Sequence, residues 1–227
     1  MKSFLNVLDQ LDACVVLDKL ISTDSYVKID MSVNNPELNN QITVTPESHE
    51  RFIQQYVNRF DAQVAWGGYL EVRNLYRRSK LFQQENNRER NIHLGLDFWA
   101  KEDTVVLAAL DGKVHSFRNN LGLGNYGPTI ILEHKMQGIK FYTLYGHLSL
   151  KSINHLHVGK RVDASQPIGS LGISSVNGDY APHLHFQLIR DIQYREGDYP
   201  GVCHAEDLTL FMNNCPNPNR LLKIPES

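Results

Sequence analysis

The chain has 227 residues, 41% hydrophobic and 21% charged, with a formal net charge of -2. That composition supports one substantial core, or a main domain with a smaller extension, and excludes a disordered or repetitive chain. The near-neutral charge gives no electrostatic basis for binding nucleic acid or anionic membrane, and no apolar run approaches the ~18 residues of a spanning helix.

The apolar spacing of Phe4, Leu5, Leu8, Leu11 and Val15 predicts a short helix that runs into a strand around Val15 to Leu17. Tyr26, Val27, Ile29 and Met31 predict a strand within Asp24 to Ser32, and Asn34-Asn35-Pro36 and Asn39-Asn40 read as turns. Thr45 followed by Pro46 is a helix start, with Phe52, Ile53, Tyr56, Val57 and Phe60 on one face. Residues 1–88 are therefore expected as an α/β extension packed on a main domain at 89–190, with 191–227 as a wrapping tail. Between Gly67 and Arg90, bulky residues interleave with Arg73, Arg77 and Arg78. These arginines are expected to face solvent; the alternative is that one of them, or Tyr69, lines a cleft and binds a substrate carboxylate.

Three stretches then carry chemistry: His93-Leu94-Gly95-Leu96-Asp97, Tyr145-Gly146-His147-Leu148-Ser149 and Pro182-His183-Leu184-His185-Phe186. Catalytic zinc in a hydrolase takes three protein ligands and keeps a fourth position for water, so four imidazoles and one carboxylate divide into three ligands and two spare catalytic histidines. Successive side chains of a strand point to opposite faces, which puts His93 with Asp97 and His183 with His185. Leu94, Leu96, Phe98, Leu184 and Phe186 alternate against them as anchors, and Gly95 leaves room on the metal side. From His93 onward, short segments recur with glycine turns at Gly112, Gly122, Gly124, Gly138, Gly159, Gly169 and Gly172, which predicts an all-β sandwich or barrel. Leu121 to Pro128 is expected as a rim loop, and a short helical stretch follows near Ala205 to Met212.

His155-Leu156-His157 has the same spacing as the third motif but precedes the turn Val158-Gly159-Lys160, and reads as an exposed loop or strand edge. His134 is expected to pack at a strand end. His49, His115 and His204 have no partner at ligand spacing. The chain has no H-E-x-x-H motif, which sets aside a Glu-based thermolysin-like scheme.

The region from about His93 to Phe186 resembles the catalytic domain of the lysostaphin-type, LytM-like zinc endopeptidases, the beta-lytic metallopeptidase family. H-x-G-x-D, Y-x-H-L-S and H-L-H-F stand in order, and the stretches Val106 to Val114, Thr129 to His134 and Val158 to Gly172 resemble the segments between them. The resemblance implies a compact antiparallel β-sandwich with a groove floored by the sheet. It implies one zinc ion per chain held by His93, Asp97 and His185, with His147 and His183 as the catalytic pair, one the general base and the other stabilising the oxyanion. It further implies a peptide substrate of the peptidoglycan type. A zinc hydrolase acting on a non-wall amide, and a non-catalytic activator module, are the alternatives; the latter would leave substituted ligands, and all five positions stand. Asparagines such as Asn34 or Asn35 could occlude the metal, as an Asn does in latent relatives.

Cys14, Cys203 and Cys215 make an odd count without metal spacing and are expected as free thiols, although Cys203 and Cys215 could pair in an oxidising compartment. Asp9 and Asp12 interrupt what would be the apolar core of a signal peptide, so a cytoplasmic location is expected unless a leader has been removed. The oligomeric state is not indicated.

Overall fold

The computed structural model describes residues 3–38, 45–82 and 88–226. Its elements in chain order are α1 (Phe4–Gln10), β1 (Tyr26–Lys28), α2 (Pro46–Arg59), β2 (Val64–Gly67), β3 (Ile92–His93), β4 (Leu96–Trp99), β5 (Val105–Leu107), β6 (Gly112–Asn120), β7 (Gly127–Met136), β8 (Ile139–Gly146), β9 (Arg161–Val162), β10 (Pro167–Ser170), β11 (His183–Ile189), β12 (Val202–Cys203), α3 (Leu208–Asn214) and α4 (Asn219–Leu222). The protein is mainly β. Among the described residues, no helix is long and apolar enough to cross a membrane.

Eight strands form one sheet in the order β1-β2-β4-β11-β8-β7-β6-β9, and two small sheets, β10-β5 and β12-β3, pack beside it. The sheet is open rather than closed into a barrel. It is also mixed, because β1 and β2 pair in parallel while the other pairs are antiparallel. The front of the chain thus joins the sheet through β2, where Gly67 sits opposite Asp97 of β4. The expected turn at Asn39-Asn40 lies outside the described residues.

Local chemistry accounts for these elements. Thr45 caps α2 by a reciprocal capping box with Ser48, and Pro46 occupies the first turn, where no amide hydrogen is needed. The tight β7–β8 hairpin turns at Gln137 and Gly138, both with positive φ, which matches the right-handed twist of the flanking strands. The central strand β11 is buried at every position because both of its faces are covered. On one face Leu184, Phe186 and Leu188 join Leu96, Phe98, Ile130, Leu132 and Tyr145, covered by Phe4, Leu8, Leu17, Val106, Leu221 and Ile224. On the other, Ile131, Leu144 and Ile189 pack with Leu94, Tyr126, Tyr199, Cys203 and Cys215. All three cysteines are free thiols, and Cys203 and Cys215 are buried.

One sequence expectation is corrected. His93 and Asp97 do not lie on one continuous strand: the chain bends at Leu94 and Gly95, so His93 pairs with Val202 in the small sheet while Asp97 lies in the main one. The bend depends on glycine, since a Cβ at position 95 would come within 2.7 Å of the His185 ring and 2.8 Å of the Phe186 carbonyl oxygen.

Candidate metal centre and active site

The sheet register brings the motif residues together. His185 of β11 lies opposite Asp97 of β4 on one side and Gly146 of β8 on the other, and His147 follows Gly146 directly. His183 shares the face of His185, two residues earlier on the same strand. The His147 backbone has φ 63°, an uncommon conformation for a non-glycine residue, held by amide bonds to the Tyr126 carbonyl and from Gly172. All five side chains are buried, at 2–5% exposure, yet all line one cavity of about 140 Å³.

His93 Nε2 and His185 Nδ1 are 2.9 Å apart, and they lie 3.3 and 3.1 Å from Asp97 Oδ1. Zinc bonds of roughly 2.0–2.1 Å in tetrahedral geometry put ligand atoms about 3.4 Å apart. The opposite ring nitrogens decide the tautomers. His93 Nδ1 donates to the Gly68 carbonyl at 3.0 Å, and His185 Nε2 to Gln187 Oε1 at 2.8 Å. Two lone pairs and one carboxylate oxygen therefore converge on one point, the donor set and spacing that suit a zinc ion. Among the described residues, these three form the one His/Cys/Asp/Glu cluster able to surround a metal.

The other two histidines are oriented in the same manner. His147 Nδ1 donates to the Asn177 carbonyl at 2.7 Å and His183 Nδ1 to the Ala181 carbonyl at 2.8 Å, leaving each Nε2 as a lone pair. Their ring centroids lie 4.2 Å apart, and His183 Nε2 is 3.9 Å from Asp97 Oδ1. Burial, followed by Arg73, pushes the His93 pKa down to about 3; burial, followed by His183, holds His147 well below its ordinary value. Burial also lowers His183, outweighing the opposite pull of Asp97. For Asp97 burial acts upward, but His93 and Arg73 hold the carboxyl well below the usual range.

Arg73 is the residue that sequence reasoning placed wrongly. It is buried, not solvent-facing, and its Nη1 lies 2.5 Å from Asp97 Oδ2 while its Nε donates to Glu71 Oε2 at 2.8 Å. The Asp97 carboxylate is thereby divided, with Oδ2 on Arg73 and Oδ1 turned to the imidazoles. Arg77 is exposed and pairs with Glu89, and Tyr69 bonds the Cys215 carbonyl rather than lining the cavity. Arg78 bonds the Asp179 side chain at 2.9 Å and its backbone carbonyl, and stacks 4.8 Å over Tyr180.

The segment from Leu75 to Phe82 therefore bridges to the rim on the far side of the site. Ser79 Oγ donates to the Leu123 carbonyl, and a Cβ at Gly124 would come within 2.8 Å of both Phe82 and Ser79. Gly124, Asn125 and Tyr126 of the expected rim loop do line the cavity. Asn34 and Asn35 do not; the Asn35 amide bonds the Asp30 carbonyl and the Glu37 amide. His155 and His157 are exposed and stand away from the cavity, and His134 is buried between the Asp111 carbonyl and Thr143. Sequence reasoning also set aside His49, which lines the cavity from α2. The signal was its place at the start of the buried face that continues through Phe52, Ile53 and Val57.

Residues 91–196, which include all five motif residues, match the model of peptidase family M23. Over that stretch, just under half of the chain, the protein is similar to M23 peptidases. Solved structures similar to it include the catalytic domain of lysostaphin from Staphylococcus simulans, 28% identical over 53% of this chain and 80% of that one, with a TM-score of 0.38. The catalytic domain of the prophage-encoded M23 protein EnpA from Enterococcus faecalis is 22% identical over 53% and 87%, with a TM-score of 0.37. Csd3 of Helicobacter pylori is 25% identical over 55% of this chain and 32% of its own, with a TM-score of 0.33. The match spans 45% of the length of intact lysostaphin. No curated protein matches the chain. Arg73 and His49 both lie in front of the matched M23 region, so the cavity that opens on the motif residues is walled partly by chain outside it.

Proposed function

We propose that this protein is a zinc-dependent endopeptidase, with His93, Asp97 and His185 as the zinc ligands and His147 and His183 as the catalytic pair. The observation that carries the reading is the convergence of His93 Nε2, His185 Nδ1 and Asp97 Oδ1 in one cavity with the free Nε2 atoms of two further histidines. When bound, zinc supplies Lewis-acid polarisation of a carbonyl and acidification of water. Asp97, turned by Arg73, presents Oδ1, and Gly68 and Gln187 fix the ligating imidazoles. His147 and His183 each offer an Nε2 lone pair, and one of them accepts the proton that the attacking water gives up. Once protonated, either keeps its Nδ1 bond to a backbone carbonyl and donates from Nε2, to a developing oxyanion or to the leaving amine.

Peptides of the bacterial cell-wall type, rich in small residues, are the proposed substrates, consistent with the similarity to M23 peptidases and a cavity of this size. The test is to incubate zinc-loaded protein with a panel of wall-derived and unrelated peptides and to identify products by mass spectrometry. Cleavage of wall-type peptides that disappears in His147→Ala, with zinc retained, is the expected result. Intact peptides throughout would move the protein to a binding role, and cleavage confined to unrelated amides would move it to a non-wall substrate.

A further inference from the structure

α2 belongs to the front of the chain, outside the matched family region, yet it delivers His49 into the wall of the catalytic cavity. His49 is 2% exposed and its Nε2 has no hydrogen-bond partner. Trp99, the residue that ends β4 and lies opposite His183 in the sheet, is also 2% exposed, and its indole Nε1 also lacks a partner. The two rings meet edge to face with centroids 6.2 Å apart, and the other flank of the indole stacks on His183 at 5.7 Å. A buried polar group without a partner costs about 1–3 kcal/mol, and few persist without a reason. Both belong to residues that line the cavity, beside a catalytic histidine.

The surrounding charge selects what they bind. Arg73 lies 5.6 Å from the Trp99 ring, and its single positive charge faces the two carboxylates of Asp97 and Glu71. A divalent zinc ion turns that balance from net negative to net positive, Arg90 adds a further cation to the lining, and Arg195 and Asp198 offset each other. An indole N–H, an imidazole in the tautomer that carries its hydrogen on Nε2, and a positive field suit an anionic oxygen acceptor.

We propose that His49 and Trp99 form a substrate subsite for a carboxylate, placed beside His183. The proposal rests on the zinc-peptidase reading for the sign of the field. The carboxylate belongs to the substrate's chain end or to an acidic side chain next to the cleaved bond. His49 is then a specificity residue that touches substrate, supplied by a helix the family region does not contain.

The experiment measures binding rather than turnover, in zinc-loaded His147→Ala protein, by calorimetry. The probes are acetyl-alanyl-alanine as the free acid, the same peptide as its amide, and acetyl-alanyl-glutamic acid amide. The free acid is expected to bind at least ~10-fold more tightly than the amide if the chain end is recognised. The glutamic acid amide is expected to do so if a side chain is recognised. His49→Phe keeps a ring against Trp99 without a nitrogen; it should abolish that preference while leaving the affinity for the plain amide and the melting temperature unchanged. His49→Gln should recover part of the preference, and Trp99→Phe serves as a second variant if His49→Phe folds poorly. Equal binding of all three probes, no binding of any, or an unchanged preference in His49→Phe and Trp99→Phe would each overturn the subsite. Selective binding without hydrolysis of any peptide by the wild type would instead overturn the peptidase reading and leave the subsite standing.

Discussion

At the scale of single residues, the site is organised by which nitrogen of each imidazole is already committed. Gly68, Gln187, Asn177 and Ala181 take the outward N–H of His93, His185, His147 and His183, and four lone pairs are thereby turned inward. Of these acceptors only Gln187 is a side chain. It is held in turn by its own amide, which donates to the Pro200 carbonyl and to Cys215 Sγ. Gln187→Leu should therefore weaken zinc binding by roughly 10–100-fold while preserving the fold, measured by competition with a chelator of known affinity. An unchanged zinc affinity would mean that Gln187 does not set the His185 tautomer. The five motif residues were legible in the sequence because β11 keeps its two-residue alternation and the three motifs keep their internal spacing. Their outer partners were not, since three of the four acceptors are backbone carbonyls in loops at 68, 177 and 181, and a backbone carbonyl leaves no mark on residue type.

At the scale of elements, the segment Leu75–Phe82 supplies Leu75, Tyr76, Leu81 and Phe82 to the cavity wall. It consists of two short 3-10 turns, Leu75–Arg78 and Lys80–Phe82, and holds its place through Arg78 on Asp179 and Tyr180 and Ser79 on Leu123. Arg78→Ala removes the ion pair and the stacking contact together. It should speed zinc stripping by a chelator several-fold and increase amide hydrogen exchange across 75–82, with the zinc affinity at equilibrium little changed. Unaltered stripping kinetics would show that the segment does not gate the cavity. Sequence reasoning read this stretch as a solvent-facing lead-in because alternating arginines and aromatics look the same whether the guanidinium meets water or a buried carboxylate. Arg73 was decided by a partner 24 residues away, Asp97, which no local pattern contains. The helix α2 was legible from Thr45, Pro46 and its apolar face, but His49 at the head of that face signalled only burial.

At the scale of the whole molecule, front, motif region and tail share one core: Phe4, Leu17 and Trp66 pack in the same cluster as Phe98, Phe186, Leu221 and Ile224. The broad β character was legible from glycine-punctuated short segments, whereas the addition of β1 and β2 to the sheet was not, because strand pairing is a long-range choice. Within this core His134 is 1% exposed, and burial pushes its pKa down to about 4. The folded state thus refuses a proton that the unfolded chain accepts at about 6.5. Stability from this group is intact above that value and is lost as pH falls toward 4, by roughly 3 kcal/mol in total. Chemical denaturation between pH 7 and 4.5 should show a decline to which the buried histidines of the cavity also contribute, and His134→Gln should make it shallower; an identical slope in the variant would contradict the assignment.

The central claim is zinc-dependent hydrolysis at the His93, Asp97 and His185 site, and the most direct measurement returns zinc to metal-stripped protein while peptide cleavage is followed. The structure predicts no cleavage at the start, a linear rise to one equivalent of zinc per chain and a plateau beyond it, with no recovery in Asp97→Ala. Cleavage that persists in stripped protein, or that zinc restores equally in Asp97→Ala, would contradict it.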